Sequence, residues 1–125
     1  LLCLMAAARK DKRTQLVSDL GDLLTLCRNI LGAEVKQTPL PDWKVFGMDA
    51  DSVHTASHTP PHVVPDDRMG QTAMELNRLR ARSRELELDW LAAYPPEERP
   101  DIVMALNRLS SALNVLFRKE VKLHG

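Results

Sequence analysis

Residues 100–122 read PDIVMALNRLSSALNVLFRKEVK, a stretch in which apolar residues recur in alternating steps of four and three. The members of this series are Ile102, Leu106, Leu109, Leu113 and Leu116. Such heptad-like spacing puts them on one side of a helix, as a seam that packs against another helix. Pro100 suits the first turn, where the N–H that proline lacks has no intrahelical partner to lose. The segment therefore predicts a long, packed α-helix.

Three further segments also predict helices. Residues 14–36 keep one apolar face over several turns, formed by Leu16, Val17, Leu20, Leu23, Leu24, Cys27, Ile30 and Leu31. Residues 68–94 carry a buried stripe, which we expect to consist of Met69, Ala73, Leu76, Leu79, Ser83, Leu86 and Trp90. Residues 1–9 predict a shorter apolar helix, which we interpret as the end of a longer one. The sequence predicts an all-α, up-down bundle of about four long helices, in a single domain over residues 1–125.

A long irregular loop is expected over residues 38–68, which contain five prolines and Gly47. A short helix within it, over residues 49–57, is compatible with the pattern. Loops of this length inside a compact domain are usually functional or disordered. The loop is therefore a candidate for contact with a ligand.

Composition excludes several classes of function. Lys and Arg together number 17, as do Asp and Glu, so the formal net charge is zero. Binders of nucleic acid or anionic membrane surfaces normally show a basic excess. No apolar run reaches the ~18 residues of a membrane span. We therefore expect no nucleic-acid partner and no membrane association. The two cysteines fit buried thiols in a reducing, cytoplasmic environment.

Two charged stripes with the spacing i, i+4, i+7 run along the helix predicted over residues 68–94: Arg78, Arg82 and Glu85 in one, and Arg80, Arg84 and Glu87 in the other. At about 100° per residue, the second stripe borders the apolar face and the first lies further toward solvent. Arginines at the edge of a core face can form a fork for phosphate oxygens, with a carboxylate that holds the fork in place. A solvated, salt-bridged helix face gives the same pattern.

Two further polar sets are candidates for a ligand site. Asn107, Ser111 and Asn114 share one stripe of the last helix, where they either face water or line a polar pocket. In the loop, His54 and His58 have the i, i+4 spacing of metal ligands, if that segment is helical. Pro60 and Pro61 prevent one continuous helix from reaching His62. Unliganded loop histidines are the alternative.

The C-terminal half of the chain resembles a known family. The segment RPDIVMALNRLSSALNVLF, from Arg99, is similar to the last long helix of the ATP-dependent cobalamin adenosyltransferases, whose hallmark is Leu-Asn-Arg-Leu-Ser, here residues 106–110. In NRLRARSRELE, residues 77–87, the second charged stripe resembles the family's Arg-x3-Arg-x2-Glu. The loop motif His54-x2-Ser57-His58-x-Pro60 is similar to that of the ethanolamine-utilisation branch.

The resemblance implies a corrinoid adenosyltransferase, which transfers the 5′-deoxyadenosyl group of ATP to the cobalt of reduced cobalamin and releases triphosphate. It implies a homotrimer with the site between subunits, ATP bound with Mg²⁺, and a cytoplasmic location associated with a bacterial microcompartment. The residue roles that it implies fall into three groups. Those for ATP binding are Arg84, Asn107, Arg108 and Ser111; those that act on or order the catalytic site are Arg80, Arg84 and Glu87; those on the corrinoid side are His54 and His58.

The chain also departs from the family's pattern. The branch's His and Cys-Cys-x2-Cys metal motif has no counterpart, so we expect no metal held by protein ligands. The N-terminal phosphate-binding segment also has no counterpart, and we expect the chain to be truncated there. A non-catalytic helical module for oligomerisation or interaction, or a corrinoid-binding protein without transferase activity, remains the alternative function.

Overall fold

The computed structural model describes residues 1–59, 70–95 and 97–124. These ranges contain five α-helices: α1 Leu2–Lys10, α2 Thr14–Lys36, α3 Ala50–His58, α4 Gln71–Ala93 and α5 Pro100–His124. No strand occurs among these residues, which confirms the all-α class and the predicted bounds of α2. Three of the helices are long and two are short. No helix in the described ranges has the length and apolar character needed to cross a membrane.

Helix α5 is the element around which the others pack, since it contacts α2, α3 and α4, most extensively α4. All the residues of its predicted seam are at most 5% exposed: Ile102, Leu106, Leu109, Leu113 and Leu116. Ala105 and Ala112 are fully buried, and small side chains let a neighbouring helix approach closely. The heptad-like spacing of this segment is thus confirmed as a buried helix–helix contact.

The pair α1 and α2 is tied to the far end of α5 by an ion pair. Arg13, in the turn between the two helices, donates from Nη1 and Nη2 to Oε1 and Oε2 of Glu120, at 2.8 and 2.7 Å. The Glu120 side chain is only 3% exposed. Hydrogen bonding to this carboxylate raises the pKa of Arg13, despite partial desolvation. The bidentate pair fixes the angle at which α1 and α2 meet α5.

The connection from α2 to α3 is held at two points by carboxylates of long helices. Asp101 Oδ2, at the start of α5, accepts a hydrogen bond from the Leu40 amide at 2.9 Å. Asp22 Oδ2, on α2, accepts one from the Phe46 amide, also at 2.9 Å. Phe46 and Gly47 have φ values of +55° and +75°, in the left-handed region required by a tight turn. Part of the predicted irregular loop is therefore anchored to the bundle.

Helix α3 is the short helix that the sequence allowed over residues 49–57. Asp49 caps it, because its Oδ1 accepts a hydrogen bond from the Ser52 amide at 2.8 Å. Val53 is fully buried against the core. The expected irregular stretch over residues 38–68 is thus interrupted at Ala50–His58 by the helix that the sequence allowed, and residues 60–68 lie outside the described residues.

Three expectations about burial are also wrong. Leu86, expected in the buried stripe of α4, is 51% exposed, whereas the next residue, Glu87, is 5% exposed. Leu31, expected on the apolar face of α2, is 64% exposed, and Leu26 is buried instead. The physical reason for the first two is the side of each helix that faces α5, together with the hydrogen bonds from Arg84 and Asn107 that permit burial of Glu87. Cys3, expected to be a buried thiol, is exposed.

Candidate functional site

A cavity of about 490 Å³ lies between α3, α4 and α5. Its wall is mainly polar and consists of His54, Ser57, His58, Arg80, Arg84, Asn107, Ser110, Ser111, Asn114 and Phe117. The volume is within the range of small-molecule sites in proteins. Most of the site residues expected from the sequence therefore share one cavity, although they come from three helices.

Glu87 does not itself line the cavity, but its buried carboxylate holds two residues that do, Arg84 and Asn107. Its Oε1 accepts a hydrogen bond from Arg84 Nη1 at 2.7 Å, and its Oε2 accepts one from Asn107 Nδ2 at 3.1 Å. The Glu87 side chain is 6% exposed and that of Arg84 is 56% exposed. A carboxylate this deeply buried needs such partners, because an unpaired buried charge is strongly destabilising. The pair leaves one edge of the Arg84 guanidinium available to a ligand.

Arg80 is held in a similar way, by a neutral partner. Its Nε and Nη2 donate to Asn77 Oδ1 at 3.2 and 2.8 Å. The other charged stripe differs, since Arg82 and Glu85 lie 3.4 Å apart with side chains 75% and 63% exposed. The two stripes have the same spacing, but only the stripe that contains Arg84 borders the cavity.

The polar stripe of α5 faces protein rather than open water. Ser111 is 6% exposed. Asn114 Nδ2 donates to the Ser57 carbonyl and to Ser57 Oγ, at 3.1 and 3.0 Å. Arg118 Nη1 donates to the carbonyls of Ala56 and Ser57, at 2.8 and 3.2 Å. These bonds hold the last turn of α3 against α5, so that α3 forms one wall of the cavity.

The two histidines of α3 lie beside each other on that wall. Their ring centroids are 4.3 Å apart, and His58 Nδ1 is 3.0 Å from the His54 carbonyl oxygen. His54 Nδ1 is buried and makes no hydrogen bond to any of the described residues. Burial, together with the charges of Arg108 and His58, lowers the pKa of His54, while Asp51 partly offsets the shift. A neutral His54 with an unpaired nitrogen can accept a hydrogen bond from a ligand.

A metal centre does not emerge from the described residues. Within residues 1–59, 70–95 and 97–124, no group of three or more His, Cys, Asp or Glu side chains could hold a metal ion. His62 lies outside the described residues.

Arg108 is the other candidate residue, besides Glu87, that lies outside the cavity wall. Its Nε donates to the Ala50 carbonyl at 3.1 Å, and its Nη1 donates to Asn107 Oδ1. The guanidinium thus lies behind Asn107, between α5 and the first turn of α3.

Comparison with known proteins finds a similarity to one kind of enzyme. The chain is 34% identical to the corrinoid adenosyltransferase EutT of Salmonella typhimurium, over 84% of this chain and 43% of that protein. It is also 34% identical to EutT of Escherichia coli K12, over 78% of this chain and 40% of the relative. The chain is therefore similar to part of the EutT corrinoid adenosyltransferases. It spans about two fifths of the length of these EutT proteins. No protein-family model and no solved structure matches it.

Three residues of the cavity were not proposed as site residues from the sequence. Phe117, 1% exposed, continues the apolar face of α5 and has the pattern of an ordinary core residue. Ser110 is the last residue of the Leu-Asn-Arg-Leu-Ser motif, and its Oγ donates to the Asn107 carbonyl at 2.8 Å. Ser57 joins the site only because Asn114 holds it. The loop motif includes Ser57, so that motif was the one sequence signal for it.

Proposed function

We propose that this chain provides the ATP side of a corrinoid adenosyltransferase, which transfers the 5′-deoxyadenosyl group of ATP to the cobalt of a reduced corrinoid. The observation that supports this most strongly is the position of Arg84. Its guanidinium is fixed by a buried carboxylate at 2.7 Å and yet borders a cavity large enough for a small molecule. The homology to EutT supplies the class of reaction.

The polar wall fits the chemistry of a nucleoside triphosphate. Arg84 and Arg80 offer guanidinium groups on one side, which bind phosphate oxygens through paired N–H donors. Asn107 and Ser111 add neutral groups on α5 that can hydrogen-bond to a sugar or phosphate. We propose that ATP brings its Mg²⁺ on the triphosphate. His54 and His58, on the opposite wall, are proposed to face the corrinoid.

The proposed mechanism asks the protein to position and stabilise rather than to form covalent bonds. The cobalt of the reduced corrinoid supplies the electron pair that forms the bond to C5′. The C5′–O bond breaks, and its electrons leave with the triphosphate. The arginines would stabilise the negative charge of that leaving group, and the cavity wall would hold C5′ in line with cobalt.

We also propose that the chain acts as a homotrimer, in the cytoplasm and in association with a microcompartment. An apolar groove supports association with a further copy. It is lined by residues of α2, α4 and α5, namely Cys27, Ile30, Leu31, Glu34, Leu86, Trp90, Leu106 and Leu109. Leu31 and Leu86 are both more than half exposed in the single chain. Sedimentation at micromolar concentration tests this proposal, and a monomer would contradict it.

The test of the main proposal is anaerobic titration of the chain with reduced cobalamin and ATP. The expected result is the absorption spectrum of adenosylcobalamin, together with release of one triphosphate for each adenosyl group transferred. The Arg84→Ala variant should lose the reaction, and Arg82→Ala should retain it, because Arg82 lies away from the cavity. ATP binding without transfer would favour a corrinoid- or nucleotide-binding module instead. No binding of ATP or corrinoid would favour the helical interaction module.

A further inference from the structure

A continuous chain of hydrogen bonds joins α3 to the Arg84 guanidinium on α4. It begins at Ala50, the first residue of α3, whose carbonyl accepts from Arg108 Nε at 3.1 Å. Arg108 Nη1 in turn donates to Asn107 Oδ1. Asn107 Nδ2 donates to Glu87 Oε2 at 3.1 Å, and Arg84 Nη1 donates to Glu87 Oε1 at 2.7 Å. Three helices are therefore connected through polar side chains and the Ala50 carbonyl.

The side-chain amide of Asn107 is the group in this chain of bonds whose orientation matters. An amide has an acceptor end and a donor end, and rotation by about 180° exchanges the two. Here Arg108 occupies the oxygen and Glu87 occupies the nitrogen, so both ends specify the same orientation. Without Arg108, the oxygen loses its charged donor and the side chain regains rotational freedom. Glu87 would then be hydrogen-bonded to a less well-ordered Asn107, and it would hold the Arg84 guanidinium less firmly.

We propose that Arg108 is a positioning residue, which makes the order of the Asn107–Glu87–Arg84 group depend on the docking of α3. The inference rests on the proposed function, since ATP is taken as the ligand of Arg84. Arg108 acts through Asn107, and it is not itself a contact of the ligand. The docking of α3, which carries His54, and the ordering of the Arg84 guanidinium for phosphate are then coupled.

A second arginine of α5 provides a matched control. Arg118 also donates to α3, at the carbonyls of Ala56 and Ser57 in its last turn. It is half-buried, as is Arg108. The side-chain hydrogen bonds of Asn107 go to Glu87 and Arg108, and none is made to Arg118. Removal of either arginine therefore loosens α3 and removes one positive charge, but only the loss of Arg108 frees the amide.

The experiment measures ATP affinity by calorimetry for the 125-residue chain and its variants, with melting curves for each. Arg108→Ala should weaken ATP binding about tenfold, the scale of a lost charge-assisted hydrogen bond. Arg118→Ala should change it by less than about twofold. Arg108→Lys should be intermediate, because an ammonium group cannot reach both acceptors as the guanidinium does. If Arg108→Ala does not fold, Arg108→Gln gives the same comparison.

A double-mutant cycle separates positioning from direct contact. If Arg108 acts through Asn107, then Arg108→Ala should cause no further loss of affinity in an Asn107→Ala background. Independent, additive losses would overturn the inference, as would equal losses for Arg108→Ala and Arg118→Ala. A wild-type chain that does not bind ATP would overturn the proposed function and the inference together. ATP binding that needs Arg84 but not Arg108 would overturn the inference alone.

Discussion

Replacement of Arg84 by alanine separates a ligand-binding arginine from an ordinary surface arginine. In the structure, Arg84 is bound to the buried Glu87 at 2.7 Å and borders the cavity. A charge-assisted hydrogen bond to a phosphate in such a partly desolvated place contributes roughly 1.5–3 kcal/mol. At about 1.4 kcal/mol for each factor of ten, ATP affinity should fall about tenfold to hundredfold. Arg84→Lys should also bind poorly, because a point charge does not reproduce the guanidinium fork.

The matched control is Arg82→Ala on the same helix. Arg82 lies 3.4 Å from Glu85, and both side chains are largely exposed. An exposed pair of this kind contributes ~0–1 kcal/mol to stability, and nothing in the structure joins it to the cavity. Arg82→Ala should therefore leave ATP affinity within about twofold of the wild type. The assay is calorimetric titration with ATP at low and at moderate salt, since bulk charge effects weaken with salt.

Melting curves separate a binding defect from a folding defect. Arg84→Ala leaves the Glu87 carboxylate buried with Asn107 as its remaining partner, which costs about 1–2 kcal/mol. A loss of this size lowers Tm by roughly 5–10 °C in a chain of this length, so binding is measured well below that temperature. Equal losses of affinity for Arg82→Ala and Arg84→Ala would refute the reasoning, as would unchanged affinity for both. The helical interaction module would then be the better explanation of the arginine stripes.

Three further predictions concern stability. Glu120→Gln should lower the free energy of unfolding by about 2 kcal/mol in urea denaturation. The reason is that a neutral amide replaces the buried carboxylate that accepts both hydrogen bonds from Arg13. Hydrogen bonding from Arg99, together with backbone amides, lowers the pKa of Asp101 to about 2. Asp101 should therefore stabilise the fold above about pH 4 and lose this contribution as the pH falls toward 2, and Asp101→Asn should flatten that part of the stability curve. Phe117→Ala should cost about 3–5 kcal/mol by the same denaturation measurement, since the ring is 1% exposed.

The local sequence was sufficient to predict the helices themselves. The heptad-like series of α5 and the apolar face of α2 are periodic over many turns, so each helix and its main buried side follow from spacing alone. The bounds of α2 follow from its polar start and from the prolines beyond its end. The phase of the charged stripes on α4 also follows from about 100° per residue, which predicted that Arg84 and not Arg82 borders the apolar face.

The tertiary structure decided the features that depend on contacts between distant segments. The burial of Glu87 in place of Leu86 requires Asn107 and Arg84 as partners, and no pattern within α4 encodes that pairing. The exposure of Leu31 depends on which side of α2 faces α5. Periodicity reports the side of a helix that is apolar, whereas a carboxylate can be buried only if donors from other helices reach it. The docking of α3, and with it the role of Arg108, belongs to this second class, because it depends on a side chain of α5 that meets a backbone carbonyl far away in the sequence.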